Sequence, residues 1–467
     1  MVRKLDTMEG APTRARAYPR PLRLVSRVAQ MAWQRAQRLV SDSLLRNSMF
    51  IMGTTVATSG LGYIYWTAAA RVFPAAAVGL ASALISAVNL VSAVSLFGLP
   101  SAVIDLLPKQ RSSRSWSATA DAALGVVTLS GLVFGAGMWL LLPNVSPNLR
   151  LSGSGAVVAI LLVGLVTISN VVLVLDGIFI ADRVAHFMLA RNVVFAAAKI
   201  PLLLLPLFLP LISRTASTIL FSWILAGALS LALSLLWFLP RMGRQRVTDV
   251  ATLREKARLL ASRMAGNQLI RISGTLPMYL LPIIVAMRLT TADSAYFYTT
   301  WMVGGIFFMI STSISSALFA EGSAERDKLS ARLRTSVRIM GFCLAPVGGA
   351  LLLFGRLALE VFGPAYAANG AVLLSILVFA AAPDGITNLA VSVWRVRGHV
   401  YAAGMLNLGM SVISLVAAWF LTPIFGVAGA GWAWLLGESA GSAVVLAYLA
   451  PQLRLSISAR LRQSKRS

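Results

Sequence analysis

Residues 191–208 read "RNVVFAAAKIPLLLLPLF", an apolar run with one ammonium group, Lys199, in its middle. As a helix rising 1.5 Å per residue, the run is about 27 Å long, close to the thickness of a bilayer's hydrocarbon core. The surroundings decide how to read it. The 467-residue chain is 58% hydrophobic and 12% charged, with mean hydropathy +0.79. Soluble domains carry about twice that charged share. Apolar runs of at least about 18 residues recur along most of the length, each sufficient to cross a membrane. The chain reads as an all-α integral membrane protein.

Twelve spans are expected, at about 47–70, 76–105, 117–142, 155–181, 187–210, 215–239, 264–287, 293–319, 335–355, 367–393, 399–422 and 427–450. The formal charge of +25 could suggest nucleic acid, but its placement argues otherwise. One alternating set of connections holds nearly all of the 41 Lys and Arg residues; the other holds Arg71, Arg150, Arg214, Arg288 and Arg356. Positive charge stays on the cytoplasmic side, so both termini are expected there, in a bacterial cytoplasmic membrane. The same charge would attract anionic membrane lipids, and no nucleic-acid partner is expected. The single cysteine, Cys343, excludes intramolecular disulfides and Cys-rich metal sites. With no GxxxxGK[ST], GxGxxG or HExxH, no cofactor, metal or catalytic residue is expected.

The longest basic connection, 240–263, separates an N-terminal set of six spans (47–239) from a C-terminal six (264–450). A basic segment (1–46) precedes them and a basic tail (451–467) follows. In the first segment Val25, Val28, Ala29, Ala32, Ala36 and Leu39 recur at helical spacing, with Arg23, Arg27 and Arg38 on another face. That pattern predicts a helix lying on the membrane surface, with a disordered tail as the alternative. Arg71/Arg288, His186/His399 and Asn47/Asn267 recur at similar offsets and suggest a weak internal repeat. Spans one and seven are expected to be interrupted, by Gly53, Gly60 and Gly62 and by Pro277 and Pro282, which points to a transport site between the halves. Gly131/Gly135 and Gly437/Gly441 read as helix-packing positions.

Residues 54–108, "TTVATSGLGYIYWTAAARVFPAAAVGLASALISAVNLVSAVSLFGLPSAVIDLLP", resemble the opening of bacterial polysaccharide flippases of the multidrug/oligosaccharidyl-lipid/polysaccharide exporter superfamily. Residues 395–439, "RVRGHVYAAGMLNLGMSVISLVAAWFLTPIFGVAGAGWAWLLGES", resemble their last two spans. The resemblance implies two six-helix lobes in a V around a central cavity that faces each side of the membrane in turn. It also implies a polyprenyl-diphosphate-linked oligosaccharide as cargo, with polysaccharide polymerase and export machinery as further partners. Related drug exporters carry an ion-coupling aspartate in span one. Residues 47–70 contain no carboxylate, which counts against cation antiport.

An ionisable residue inside a span costs about 2.5–3.5 kcal/mol at the bilayer centre, so it needs a partner or a wet cavity. Five qualify: Asp176, Lys199, Arg271, Asp384 and Glu438. Counting residues from the basic end places them roughly 10, 20, 12, 16 and 24 Å deep, respectively. Arg271 and Asp384, at similar depth in one half, are either a structural pair or part of a substrate site. Pro383-Asp384-Gly385 should break its helix and expose the carboxylate. Asp176 is shallow enough to be solvated or to pair with Arg183, and Glu438 is expected to face neighbouring helices in the protonated form that burial favours. Lys199 has only the shallower Asp176 in its own half, so it should point between the lobes and meet a diphosphate or a gating carboxylate. Lys199 and Arg271 are thus the expected substrate cations, and Asp384, Glu438 and Asp176 the gating or ion-coupling candidates.

A flippase is the leading reading. It needs no covalent chemistry, only a cationic cleft and a lateral opening for the lipid tail. The alternatives are a membrane-embedded polysaccharide polymerase or glycosyltransferase, and a multidrug/cation antiporter. The connections of the Arg-poor set are short and hold only Glu360 and Asp293 as acids, too little for an active site.

Overall fold

The computed structural model describes residues 43–464, apart from 152, 244, 246–248 and 265–267; the side chains of 43–45, 145, 268–272 and 449–464 are outside the description. The surface helix expected within residues 1–46 lies outside the described residues.

The N-terminal lobe comprises α1 (Ser43–Val72), α2 (Ala75–Leu96), α3 (Leu99–Leu106), α4 (Ser113–Val145), α5 (Gly155–Ala181), α6 (Ala185–Phe208) and α7 (Ala216–Leu233). A helix in the connection, α8 (Val250–Arg263), leads to the C-terminal lobe. That lobe comprises α9 (Gln268–Arg288), α10 (Thr291–Ala324), α11 (Leu329–Glu360), α12 (Pro364–Val396), α13 (Val400–Phe425) and α14 (Val427–Ser464). Counting α2 and α3 as one span, the described residues form twelve membrane helices in two lobes of six. Among the described residues, nine helices are long and apolar enough to cross a membrane on those grounds alone. The other three are α1, α9 and α14.

Local chemistry sets the boundaries. Ser112, Ser154 and Asp249 accept hydrogen bonds from the first turns of α4, α5 and α8. Thr290 and Asp293 form a reciprocal capping box at the start of α10, which gives Asp293 a structural task. Phe97 and Gly98, both left-handed (φ 40° and 87°), split the expected span 76–105 into α2 and α3. Gly98 adopts that conformation without steric cost, and Pro100 sits in the first turn of α3.

The expected interruptions of spans one and seven do not occur: α1 is unbroken, and α9 carries Pro277 and Pro282 inside a continuous helix. A Cβ added at Gly53, Gly60 or Gly62 would meet nothing within 4 Å, so these glycines border open space. The packing pairs behave as expected. A Cβ at Gly131 would lie 2.7 Å from Thr167 Cα, and one at Gly135 2.8 Å from Val163 Cα, so α4 and α5 touch through their backbones. Gly437 makes room for the Ser414 side chain and the Met410 carbonyl of α13, and Gly441 for the Met410 side chain.

The core is divided unevenly between the two ends of the molecule. Toward the Arg-poor end, one cluster joins both lobes, from Tyr65, Trp66 and Val78 to Ala286, Ala295, Leu359 and Phe362. Toward the Arg-rich end the cores are separate. Leu99, Leu107, Phe179, Phe238 and Leu260 pack in the N-terminal lobe, and Leu318, Met340, Leu389 and Val396 in the C-terminal one. Polar contacts repeat the asymmetry. Arg71 donates to the backbone carbonyls of Glu360 and Val361, both at 2.8 Å, at the end of α11. Asn148 donates to those of Ala286 (3.2 Å) and Leu289 (3.1 Å) at the end of α9. Each bond satisfies orphan carbonyls at a helix C-terminus from the opposite lobe. The lobes are clasped at the Arg-poor end and apart at the other.

Candidate functional site

Lys199 is buried, with 5% of its surface exposed, on the face of α6 that looks toward α1 and α7. Its Nζ lies 4.4 Å from the ring centre of Trp223, 4.7 Å from Tyr65 and 5.0 Å from Phe195. Three π faces within about 6 Å attract a desolvated ammonium, at about 2 kcal/mol or more for a good contact. Among the described residues no carboxylate pairs with it. Of the two expected partners, a diphosphate or a gating carboxylate, the second does not meet Lys199 here: aromatic rings of its own lobe surround it. One of them was legible, since Phe195 precedes Lys199 by four residues and shares its helix face.

The cage adjoins the clasp. Tyr65 hydrogen-bonds Ser222 Oγ at 2.8 Å, fixing its ring. Trp66 packs edge-on to Tyr65 (5.4 Å) and against Trp223 (6.4 Å). It then reaches across to Tyr298 of the C-terminal lobe at 4.7 Å. Tyr63 meets Phe362 at 5.2 Å beside it. A continuous set of rings thus runs from the ammonium to the inter-lobe contact.

Asp176 keeps 15% of its side chain exposed and pairs with Arg191, not with Arg183. Arg191 Nη2 donates to its Oδ1 at 2.7 Å, with Arg191 fully buried, and Asn192 adds donors at 3.3 and 3.4 Å. The sequence reading passed over Arg191, which stands near the start of the expected span 187–210; α6 begins at Ala185 and carries it well inside. The gating role expected for Asp176 thus meets a carboxylate whose charge is already matched.

The other two acids come together. Asp384 and Glu438, each 5% exposed, line one cavity of about 340 Å³ in the C-terminal lobe. Thr387 Oγ1 donates to Glu438 Oε2 at 2.8 Å, and Asn388 Nδ2 to Asp384 Oδ1 at 2.9 Å. Asp384 Oδ2 and the indole N–H of Trp434 are buried without a partner among the described residues. The residue-count depths, about 16 and 24 Å, had separated the two acids. The fold overrides that count by seating α14 beside α12, so that Thr387, one turn beyond Asp384, touches Glu438. Nor does Pro383 break the helix, for α12 runs unbroken through it. Trp301, Phe308 and Trp434 form an aromatic wall, with Trp301 and Trp434 edge-to-face at 5.2 Å. Met278, Met309 and Thr312, all exposed, mark the rim on α9 and α10. The Arg271 side chain lies outside the described residues, and so does its expected pairing with Asp384.

No family model and no curated protein matches this sequence. Among solved structures, the lipid II flippase MurJ in an inward closed conformation is similar, with a TM-score of 0.67 at 11% identity over 86% of this chain and 87% of that one. An inward-facing multidrug resistance MATE family transporter of the MOP superfamily is similar at TM-score 0.65 and 16% identity, covering 86% and 94% of the two chains. An outward-facing MATE family transporter of that superfamily is similar at 0.55 and 16% identity, over 90% and 98%. The chain has the fold of these transporters.

Proposed function

We propose that the chain is a flippase of the bacterial cytoplasmic membrane, carrying a polyprenyl-diphosphate-linked oligosaccharide from the inner to the outer leaflet. The observation that carries the transport reading is the one-sided clasp: two lobes share a core at the Arg-poor end and separate at the Arg-rich end. A cleft shut at one end is one of the two states that alternating access requires. Placing the Arg-rich end in the cytoplasm makes this the loading state, with both termini inside.

The nature of the cargo rests on the charges. Lys199 offers an ammonium that no described carboxylate neutralises, and Arg271 lies on α9, which contributes to the wall between the lobes. Both suit a diphosphate. The lipid tail stays in the bilayer while the head group occupies the cleft. Rocking to the outward state breaks the bonds from Arg71 and Asn148 and parts Trp66 from Tyr298. Asp384 and Glu438 hold positive charge during the cycle, whereas Asp176, matched by Arg191, plays no part. Released cargo would pass to the polymerase and export machinery.

Depletion tests the class of function. The saccharide should be fully assembled on its lipid yet remain on the inner leaflet. Loss of glycosidic-bond formation in membranes supplied with lipid-linked substrate would instead establish a polymerase or transferase. Orientation is tested with Ser213→Cys and Ser330→Cys in a Cys343→Ser background; both serines are exposed, at opposite ends. The first should label from outside and the second from inside. Labelling of both from one side would overturn the topology.

A further inference from the structure

The C-terminal cavity is far larger than a bare ion needs. A water occupies about 10–15 Å³ by the same kind of measure, and 340 Å³ falls within the range of small-molecule sites. Its wall combines three kinds of group. Two carboxylates stand together, and no Lys or Arg lines the cavity among the described residues. Two adjacent buried carboxylates cannot both ionise cheaply: they hold a proton until a positive group arrives to match them. Next come neutral hydrogen-bonding side chains, Asn388, Asn407 and Thr387 among them. The third component is the Trp301–Trp434 edge-to-face pair, with Phe308 5.6 Å from Trp434. Two unsatisfied groups, Asp384 Oδ2 and Trp434 Nε1, belong to residues of this wall.

We propose that this cavity receives a sugar ring bearing a protonated amine, as a second subsite for the cargo. The inference rests on the flippase reading and names a feature of its substrate. The two carboxylates take the ammonium, the amides and hydroxyls take ring hydroxyls, and the aromatic wall takes the ring's apolar C–H face and adds cation–π attraction. A bare inorganic cation would leave the aromatic wall and most of the volume unused. A uronic acid would meet two like charges. The cargo is therefore divided between the lobes by charge: diphosphate toward Lys199, amino sugar toward Asp384 and Glu438.

The test uses the full-length protein in lipid nanodiscs and three probes, with binding followed by tryptophan quenching. The probes are the octyl glycoside of 2-amino-2-deoxyglucose, its N-acetylated form and octyltrimethylammonium. The free-amine glycoside should bind at least tenfold more tightly than either of the others. Glu438→Gln should reduce that preference at least threefold, and Asn407→Ala should weaken both glycosides at least threefold relative to octyltrimethylammonium. Equal binding of the acetylated glycoside would overturn the proposal, because the amine would then not be read. Equal binding of octyltrimethylammonium would also overturn it and make the cavity a general organic-cation site. The probe comparison needs no variant, so a substitution that fails to fold leaves it decisive. The probes lack diphosphate and carrier, so flipping of lipid-linked saccharide is scored separately. Flipping without amine preference sinks this subsite alone, and amine preference without flipping sinks the flippase reading instead.

Discussion

The N-terminal lobe holds the Lys199 ammonium against the faces of three rings, whereas the C-terminal lobe sets two carboxylates at the wall of a cavity. Both lobes obey one constraint, that a charge within hydrocarbon must find compensation. The means differ because the ions differ. An ammonium has no acceptor sites and can be served by π electrons from any nearby ring. A carboxylate needs donors, and Thr387 and Asn388 supply them with fixed direction. A third arrangement sets both signs together inside the N-terminal lobe as the Arg191–Asp176 pair, although Arg191 Nε and Nη1 are buried without a partner among the described residues. A charge with an ion partner in place is structural, while one without is available to a ligand.

That distinction can be broken most forcefully at the pair. Arg191→Met leaves Asp176 buried without its ion partner and should destabilise the protein by about 3–5 kcal/mol, seen as lost folded yield and a lowered melting temperature. Adding Asp176→Leu should recover most of the loss, because both charges are then gone. Failure of the double variant to recover would mean that the pair does more than neutralise itself.

Lys199 should behave in the opposite way. Lys199→Gln forfeits cation–π attraction of about 2 kcal/mol but also removes a desolvated charge, so folded yield should stay near normal while flipping falls at least tenfold. Asp176→Asn should not restore flipping, since Arg191 and not Lys199 holds Asp176. Normal flipping at normal abundance would mean that the lysine is there only for its cage.

The clasp offers a smaller effect. Arg71→Ala with Asn148→Ala removes the inter-lobe hydrogen bonds at four backbone carbonyls, at an exposed rim where each bond contributes about 0.5–1 kcal/mol. The double variant should shift the population toward the state open at the Arg-poor end by at least about thirtyfold, read as spin-label distances between the lobes. Unchanged distances would assign the clasp to the aromatic and apolar contacts alone. The mildest probe compares two glycines. Gly131→Ala drives a methyl into the α5 backbone and should cost about 1–3 kcal/mol, whereas Gly60→Ala meets open space and should stay within about 0.5 kcal/mol.

The sequence was enough for the fold class, because bilayer thickness sets how long an apolar helix must be and the run lengths record it. It also marked the intramembrane ionisable residues, since a charge inside an apolar run stands out against its neighbours. Arg191 escaped because it stands at the edge of its run, where a helix start and a connection look alike. Partners were harder. Phe195 was readable beside Lys199 from helical spacing, and Thr387 and Asn388 beside Asp384 likewise. Tyr65 and Trp223 around Lys199 come from other helices, as does Glu438 beside Asp384. Counting residues along each helix gives depth only when the helices stand upright and in register, and it separated two acids that share one cavity. Tertiary structure alone decided which charges meet, because helix stagger and rotation follow from side-chain packing between helices distant in sequence.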